Sequence, residues 1–185
     1  MDVRVLTARD AAAWRRLRLR ALRESPDAFL STYAEERSRT VADVARRFRT
    51  AWSARDNAIV GAFDGTRLVG ICGYQREAVR RQRHRATIWG MYVAPGWRGD
   101  GVGRVLLARA IDQLRAAGGI EEVHLGVGTT NRAAQALYHS AGFRTWAVDR
   151  HAMKEGRRYI DEEYMVLRRA SSSRRLSSPR AIAQR

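Results

Sequence analysis

The sequence predicts a single α/β domain built on a mixed sheet, and three observations indicate it. Apolar strand-like segments alternate with amphipathic helix-like segments from residue 3 to about residue 168. No internal repeat interrupts their order, which reads β-α-α-β-β-β-α-β-α-β-β. The length of 185 residues suits one domain with one core. We expect a domain over residues 1–168 and a basic, Ser- and Arg-rich tail over residues 169–185 that is disordered.

The first half of the chain predicts a strand, two helices and a hairpin. VRVLTA is a short strand, and Thr7 with Asp10 three residues later predicts a helix that SPDAF ends. Thr40 predicts the start of a second helix. NAIVGAF and RLVGICGYQ follow as strands joined at Asp64-Gly65, a strong hairpin signal. Helical spacing places these residues inward: Trp14, Leu17, Ala21 and Leu22, then Val44, Phe48 and Trp52.

The second half predicts the rest of the sheet and two more helices. ATIWGMYV is a buried strand ended by Ala94-Pro95, and a glycine-rich turn leads into a helix that Gly118-Gly119 ends. EEVHLGVG is the next strand, and the helix RAAQALYHSA starts at Thr130 or Asn131. FRTWAVDR and RRYIDEEYMVLRR close the sheet around a turn at residues 154–156. The inward positions of the first of these helices are Leu107, Ala110, Ile111 and Leu114.

Charge is the unusual feature of the composition. The chain has 35 basic and 19 acidic residues, a net charge of +16, and Lys154 is its only lysine. So strong an arginine bias is explained most simply by G+C-rich codon usage. Residues 168–185 carry six arginines and no acid, and residues 76–85 carry five arginines and one glutamate. The tail either binds RNA or an acidic partner or acts as a solubilising extension, and we favour the extension.

Three classes of protein are excluded by simple counts. No apolar run approaches the roughly 18 residues of a membrane span, so no membrane association is expected. MDVRVLTARD lacks the apolar segment of a signal peptide, which predicts a cytoplasmic protein. Cys72 is the only cysteine, so neither an internal disulfide nor a structural metal site is expected.

The segment WRGDGVGR places glycines at positions 99, 101 and 103 directly before a helix, a pattern typical of anion binding. A P-loop requires Gly-Lys-Ser/Thr, whereas Gly103 is followed by Arg104-Val105. A dinucleotide fingerprint counted from Gly99 would need a third glycine where Arg104 stands. The remaining interpretation is R-x-x-G-x-G, formed by Arg98, Gly101 and Gly103.

This motif belongs to a wider resemblance. GMYVAPGWRGDGVGRVLL and, one helix and one strand later, NRAAQALYHSAGF resemble the two signatures of the GNAT superfamily of acyl-CoA-dependent N-acyltransferases. LRLRALRESPDAF, IWGMYVAP and AMKEGRRYIDEEYMVL resemble a broad bacterial subgroup of undefined acceptor. The resemblance implies a GNAT-like domain whose mixed, mostly antiparallel sheet is splayed at the acyl-CoA site, with helices on both faces.

The resemblance also implies a site for acetyl-CoA as co-substrate, without a metal. Pantetheine would pair with the strand before the loop, where Gly90 eases a bulge, and the amides of residues 98–104 would bind the pyrophosphate. Asn131 would contact pantetheine, cap its helix, or do both. Tyr138 would protonate the departing thiolate, or else be a core aromatic. The implied cofactor-binding residues are Met91, Tyr92, Val93, Arg98, Gly99, Asp100, Gly101, Val102, Gly103, Arg104 and Asn131.

The general base is not identified by the resemblance. Several GNATs carry a glutamate in the strand after the loop helix, within L-E-V, and this chain has Leu125-Gly126-Val127 there. The candidates are a water chain and Glu35, Glu36, Asp161, Glu162, Glu163, His84 and His124. The aromatic residues that would wall an acceptor pocket, unless they are core, are Trp52, Tyr33, Trp89, Trp146 and Tyr159.

Two functional hypotheses follow. The favoured one is an acetyl-CoA-dependent N-acetyltransferase whose amine acceptor attacks directly in a ternary complex, because Cys72 lies in an apolar strand. Glu35, Glu36, Asp161 or Glu162 in the pocket would favour a cationic amine: a polyamine, an aminoglycoside, or a protein lysine or N-terminus. A homodimer is compatible with this hypothesis. The alternative is a nucleic-acid-associated protein, including a GNAT acting on aminoacyl-tRNA, although no basic platform with interleaved aromatics is present.

Overall fold

The protein is described here by a computed structural model of residues 1–169, in which seven strands form one sheet. Most of the expected tail therefore lies outside the described residues. The strands are β1 (Asp2–Val5), β2 (Asn57–Asp64), β3 (Arg67–Arg76), β4 (Arg85–Val93), β5 (Glu122–Gly128), β6 (Arg144–Glu155) and β7 (Arg158–Arg168). The helices are α1 (Ala11–Glu24), α2 (Tyr33–Arg37), α3 (Val41–Thr50), α4 (Val102–Ala117) and α5 (Arg132–Ser140).

The sheet is mixed and mostly antiparallel, as predicted. Its strand order is β1-β2-β3-β4-β5-β7-β6. Only the central pair, β4 and β5, is parallel, because α4 crosses over between these two strands. Within residues 1–169, none of the helices combines the length and the apolarity that crossing a bilayer requires.

The central pair of strands separates after a short stretch of pairing. β4 and β5 pair only at Arg85–Glu122, Ala86–Val123 and Thr87–His124. Beyond Thr87, and within residues 1–169, β4 pairs only with β3, while β5 pairs only with β7. The sheet therefore opens into a wedge between the carboxyl-terminal halves of β4 and β5, which confirms the predicted splay.

Helices cover both faces of the sheet. Apolar side chains that alternate along the strands form one core on each face. In β2, Val60 packs in the cluster that includes α4, and Ile59 packs in the cluster that includes α1 and α3. Phe143, directly after α5, is fully buried with the α4 cluster. Side chains that point alternately to opposite faces thus place the sheet between two apolar layers.

A β-bulge shifts this alternation in β4. Trp89 pairs with Gly73 and Tyr92 with Ile71, so one residue of β3 opposes both Gly90 and Met91. Gly90 has φ +62°, a conformation that favours glycine. As a result, Met91 packs on the α4 face although Trp89 packs on the opposite face. The bulge that was predicted at Gly90 is present, at the point where β4 leaves β5.

Two local features differ from the sequence prediction. α2 was not predicted, although Thr32 and Glu35 form a capping box: Glu35 accepts from the Thr32 amide at 2.7 Å, and its own amide donates to the Thr32 hydroxyl at 3.2 Å. β6 extends to Glu155, beyond the predicted end at residue 150, and the closing turn follows that residue. A register shift between Asp149 and Met153, where His151 has φ +62°, allows the strand to continue.

The start of α1 provides a test of the fold. The Asp10 carboxylate accepts from the Arg4 guanidinium at 2.8 and 2.9 Å and from the Thr7 amide at 2.8 Å. Arg4 is the main cause of a pKa for Asp10 below its ordinary value. Since the folded-state pKa is the lower one, Asp10 stabilises the fold above pH ~4 and loses this contribution as the pH falls through the lowered value.

We predict that Asp10→Asn lowers the free energy of unfolding at pH 7 by about 1–3 kcal/mol, because Arg4 and the Thr7 amide lose their charged acceptor. Urea unfolding at pH 7 and pH 3 measures this, and the difference from wild type should shrink at pH 3. Asp112→Asn is the control, since Asp112 is exposed and 3.6 Å from Arg115. An equal loss of stability in both variants would contradict the prediction.

Candidate active site

Two of the three glycines before α4 have backbone conformations that favour glycine. Gly99 has φ +92° and Gly101, the residue that caps α4, has φ +78°. A Cβ built on either residue would meet no atom of the described residues within 4 Å. Crowding by the protein therefore does not explain these glycines. The backbone turn explains them, because it turns successive amides toward open space.

The amides of residues 99–104 form the anion-binding feature. Among the described residues, none of these six amides donates to another backbone carbonyl, and intrahelical bonding starts with Val105, which donates to Gly101 at 3.1 Å. The amide of Arg98 donates to the Pro95 carbonyl at 3.2 Å, so the free set begins one residue later than predicted. Free amides at the positive end of a helix dipole bind phosphate oxygens.

Gly103 has a different role from the other two glycines. It lies in the first turn of α4, and a Cβ there would be 3.2 Å from Leu137 of α5 and 3.5 Å from the side chain of Met91. Glycine at this position therefore allows α4, α5 and β4 to approach closely. This close approach places the free amides beside the wedge.

The edge of β4 that faces the wedge carries unpaired backbone groups. The Ala94 amide donates to the Val69 carbonyl of β3 at 2.8 Å. This bond fixes which backbone groups of β4 point toward β3 and which point toward the wedge. The backbone groups of Tyr92 accordingly face β3, and those of Met91 and Val93 face the wedge. The Nε atom of Arg98 donates a hydrogen bond to the Val93 carbonyl at 2.8 Å, so this carbonyl already has a partner. Both backbone groups of Met91 and the amide of Val93 face the wedge.

Asn131 lies across the wedge, directly after β5. Its side-chain oxygen accepts from the Ala134 amide at 3.2 Å and so caps α5. The backbone amide of Asn131 donates to the Gly128 carbonyl at 2.9 Å, and this bond joins the start of α5 to the end of β5. Because the cap uses the oxygen, the side-chain NH₂ group can still donate to a ligand, and the two predicted roles are compatible.

Tyr138 is buried next to the bulge. The residue is 5% exposed, and its ring centroid lies 6.0 Å from that of Phe143. Burial raises the pKa of its phenol well above the ordinary value, and the thiol of Cys72 raises it further. Tyr138 and Cys72 belong to the same buried cluster, against which Met91 packs, and Cys72 opposes Gly90 and Met91 in the sheet. The phenol is fully protonated at neutral pH and can serve only as a proton donor.

A cavity of about 390 Å³ opens next to the bulge, on the face of the sheet covered by α1. The connection between α1 and α2 forms one wall with Phe29 and Leu30, and β6 contributes Met153. Trp89 is the one predicted aromatic that lines it. Tyr33 lines a neighbouring cavity, Trp52 stacks on Trp14 in the core, and Trp146 and Tyr159 are 58% and 49% exposed.

Glu162 is the one predicted base candidate that lines this cavity. A Cβ built on Gly126 would overlap its carboxylate, with the Glu162 Cδ atom only 2.6 Å away. The missing side chain at position 126 thus makes room for a carboxylate from the neighbouring strand. Burial is the main cause of a raised pKa for Glu162, and the charge of Asp149 adds to it, while the Tyr164 phenol lowers it in part.

The other base candidates have structural partners or lie outside the cavity lining. Glu35 belongs to the α2 capping box, and Glu36 pairs with Arg39 at 2.8 Å. Asp161 accepts from the His151 amide at 2.9 Å, and His124 contacts Glu122 at 3.0 Å. Glu163 binds Gln135 at 2.9 Å, toward α5. His84 does not contribute to the lining.

Arg18 is a cavity residue that the sequence analysis did not identify. It lies on the buried face of α1 and is 7% exposed, and its Nη1 atom has no hydrogen-bond partner among the described residues. The sequence does indicate that Arg18 is buried, because it lies four residues after Trp14 and three before Ala21, within the apolar stripe of α1. In residues 1–169, His, Cys, Asp and Glu side chains form no cluster of three or more that could hold a metal ion.

Comparisons with known proteins agree with this geometry. The sequence profile of the acetyltransferase (GNAT) family matches residues 18–143. Mycothiol acetyltransferase of Thermobispora bispora is 34% identical over 146 residues, which are 76% of this chain and 45% of that protein. The N-alpha-acetyltransferase RimI of Mycobacterium tuberculosis is 38% identical over 97 residues, covering 52% and 58% of the two chains. The chain spans about half the length of these curated relatives.

Solved structures share the fold. A GNAT-family acetyltransferase from Streptococcus pneumoniae superposes with a TM-score of 0.81 at 24% identity, over 90% of this chain and 98% of that one. The Salmonella typhimurium protein yncA, solved with its cofactor acetyl-CoA, superposes with a TM-score of 0.79 at 22% identity, over 91% and 93%. At these identities the likeness shows the fold alone.

Proposed function

The chain belongs to the acetyltransferase (GNAT) family, and on this premise we propose that it transfers an acetyl group from acetyl-CoA to a primary amine. One observation carries the proposal: the six free amides of residues 99–104 adjoin the unpaired edge of β4. A pyrophosphate and an amide-bearing arm are the two chemical groups that these features fit. Acetyl-CoA contains both, joined to a thioester.

The geometry of the wedge supports the following binding roles. The amides of Gly99, Asp100, Gly101, Val102, Gly103 and Arg104 bind the pyrophosphate. The backbone groups of Met91 and Val93 pair with the amides of the pantetheine arm as a further strand would. Asn131 donates its side-chain NH₂ group from the opposite side of the wedge. Tyr92 and Arg98 hold the edge in place, since the Tyr92 phenol donates to Glu24 and Arg98 binds the Val93 carbonyl.

The acetyl group is transferred directly to the amine. Glu162, directly or through a water, takes a proton from the acceptor ammonium, and the amine nitrogen attacks the thioester carbonyl. The carbon–sulfur bond breaks, Tyr138 protonates the departing thiolate, and the proton lost by the new amide nitrogen restores the phenol. Burial raises the pKa of Cys72 to about 12, so its thiol is not an acyl carrier at neutral pH.

Acetyl-CoA is predicted to stabilise the protein through the loop amides. At about a hundred times its Kd it should add about 2.7 kcal/mol, which raises the Tm by roughly 5–11 °C in a domain of this size. Gly101→Glu should abolish the shift, because a carboxylate then occupies the anion site. Gly156→Glu is the matched control: Gly156 also has positive φ and open space around it, in the turn between β6 and β7. Absence of a shift in wild type would overturn the proposal.

Tyr138→Phe is predicted to lower turnover by roughly 10- to 100-fold and to leave the affinity for acetyl-CoA unchanged, because only the proton donor to the thiolate is removed. Steady-state kinetics and the thermal shift with acetyl-CoA measure the two effects. Tyr159→Phe, at an exposed tyrosine, should behave as wild type. Unchanged turnover would remove Tyr138 from the mechanism.

Glu162→Gln is predicted to lower turnover by about 10²- to 10⁴-fold without loss of stability. Because the folded-state pKa of Glu162 is raised, its ionisation destabilises the fold, and this cost develops as the pH rises through that pKa. The variant should therefore match the wild-type Tm near pH 4 and equal or exceed it at pH 8. Glu163→Gln, on the other face of β7, should retain turnover. A variant that is fully active would exclude Glu162 as the base.

A further inference from the structure

Resting on the proposed function, we infer that the acceptor is a small zwitterion of amino-acid type, in which a carboxylate lies close to the reacting amine. Arg18 binds the carboxylate, and Glu162 faces the ammonium. The inference names the substrate class of the same cavity, and it depends on how the buried charges of the chain are distributed.

The described residues include three buried charged side chains, and two of them are paired. Asp10 binds Arg4, and Glu36 binds Arg39, each at 2.8 Å. Arg18 has no ion pair among the described residues, and its Nη1 atom is enclosed without an acceptor. An arginine stays charged in a protein, and burying its charge without a partner is costly. A residue held in this state is expected to find its partner in a ligand.

The neighbouring charges do not neutralise Arg18. Glu36 is the acidic group that acts on it, but Arg39 already binds that carboxylate. Arg39 and Arg47 both repel the Arg18 charge, so the charged groups that act on Arg18 are two arginines and one glutamate. The excess of positive charge attracts an anion. Phe29 stacks on the guanidinium at 4.5 Å and shields one of its faces from water.

Arg18 is also in the right position. Its Nη1 atom lies 4.0 Å from where a Cβ on Gly90 would be, beside the bulge where β4 leaves β5. Glu162 lines the same cavity from the side of β7, and no ion pair joins it to Arg18 in the described structure. The two opposite charges remain apart, with space between them, and so complement a molecule that carries both an ammonium and a carboxylate.

The size and walls of the cavity restrict the acceptor further. A volume of about 390 Å³ accommodates an amino acid, and Phe29, Leu30 and Met153 offer apolar contact to its side chain. A polyamine, an aminoglycoside or a lysine side chain would bring no anion to Arg18. The structure therefore favours a zwitterion over the cationic amines considered from the sequence.

A matched series of amines tests this inference. L-leucine, L-leucinamide and 3-methylbutylamine share a side chain and an amine, and only leucine carries the carboxylate. We expect kcat/KM for leucine to exceed that for the other two by about 10- to 100-fold, the size of a hydrogen-bonded charge contact. The remaining amino acids and their carboxamides are assayed alongside, by release of the CoA thiol, and should show the same preference.

Arg18→Met should lower kcat/KM for leucine to the level of leucinamide and leave leucinamide itself little changed. Arg16→Met, at an exposed position of the same helix, is the control. Calorimetric titration of leucine into the CoA-bound protein should show the same loss of binding without turnover. If Arg18→Met does not fold, the wild-type series alone decides.

The inference is overturned if wild type uses the amides or 3-methylbutylamine as well as the amino acids. It is also overturned if Arg18→Met lowers the rates with leucine and leucinamide equally. In both cases the thermal shift with acetyl-CoA still reports on the proposed acetyl transfer separately. Loss of that shift in wild type would reject the proposed function itself.

Discussion

Unpaired backbone groups at the wedge are the constraint on which the candidate site depends. β4 and β5 share only three residue pairs, and the bulge at Gly90 then turns the rest of β4 away from its neighbour. Buried amides and carbonyls need partners, so an open edge inside a sheet is stable only beside water or a ligand. The glycine turn before α4 adds six further free amides at the same opening. The same unpaired backbone groups thus constrain the fold and form the proposed ligand-binding site.

Burial sets the protonation of the titratable side chains around this opening. Tyr138 is enclosed, and its raised pKa keeps the phenol protonated. Glu162 is half-buried, and its raised pKa makes it a stronger base than an exposed glutamate. Arg18 keeps its charge whatever its burial. In the proposed mechanism these three side chains serve as a proton donor, a proton acceptor and a fixed cation around one cavity and its adjoining wedge.

Much of this architecture could be predicted from the sequence. Strand alternation, helix periodicity and caps predicted the element order, apart from the short helix α2, and the two signature segments predicted the splayed sheet. The diagonal approach of Glu162 to Gly126 could not be predicted, because the two residues are 36 positions apart and depend on a register that places Gly126 opposite Tyr164 and Gly128 opposite Glu162. Arg18 was not predicted as a site residue for a different reason: an apolar helical stripe is recognised by its hydrophobic members, and Arg18 is the one charged residue on the buried face of α1.

The space that Gly126 leaves for Glu162 has a consequence for how these two positions vary among related proteins. The carboxylate at 162 occupies the space that any side chain at 126 would need. The two positions are therefore expected to covary among relatives, with a large acidic residue at one and a small residue at the other. Two carboxylates in that space would repel each other, and two small residues would leave the cavity without the proposed base. Under the proposed mechanism, a change that moves the base from one strand to the next therefore passes through one of these two weaker combinations.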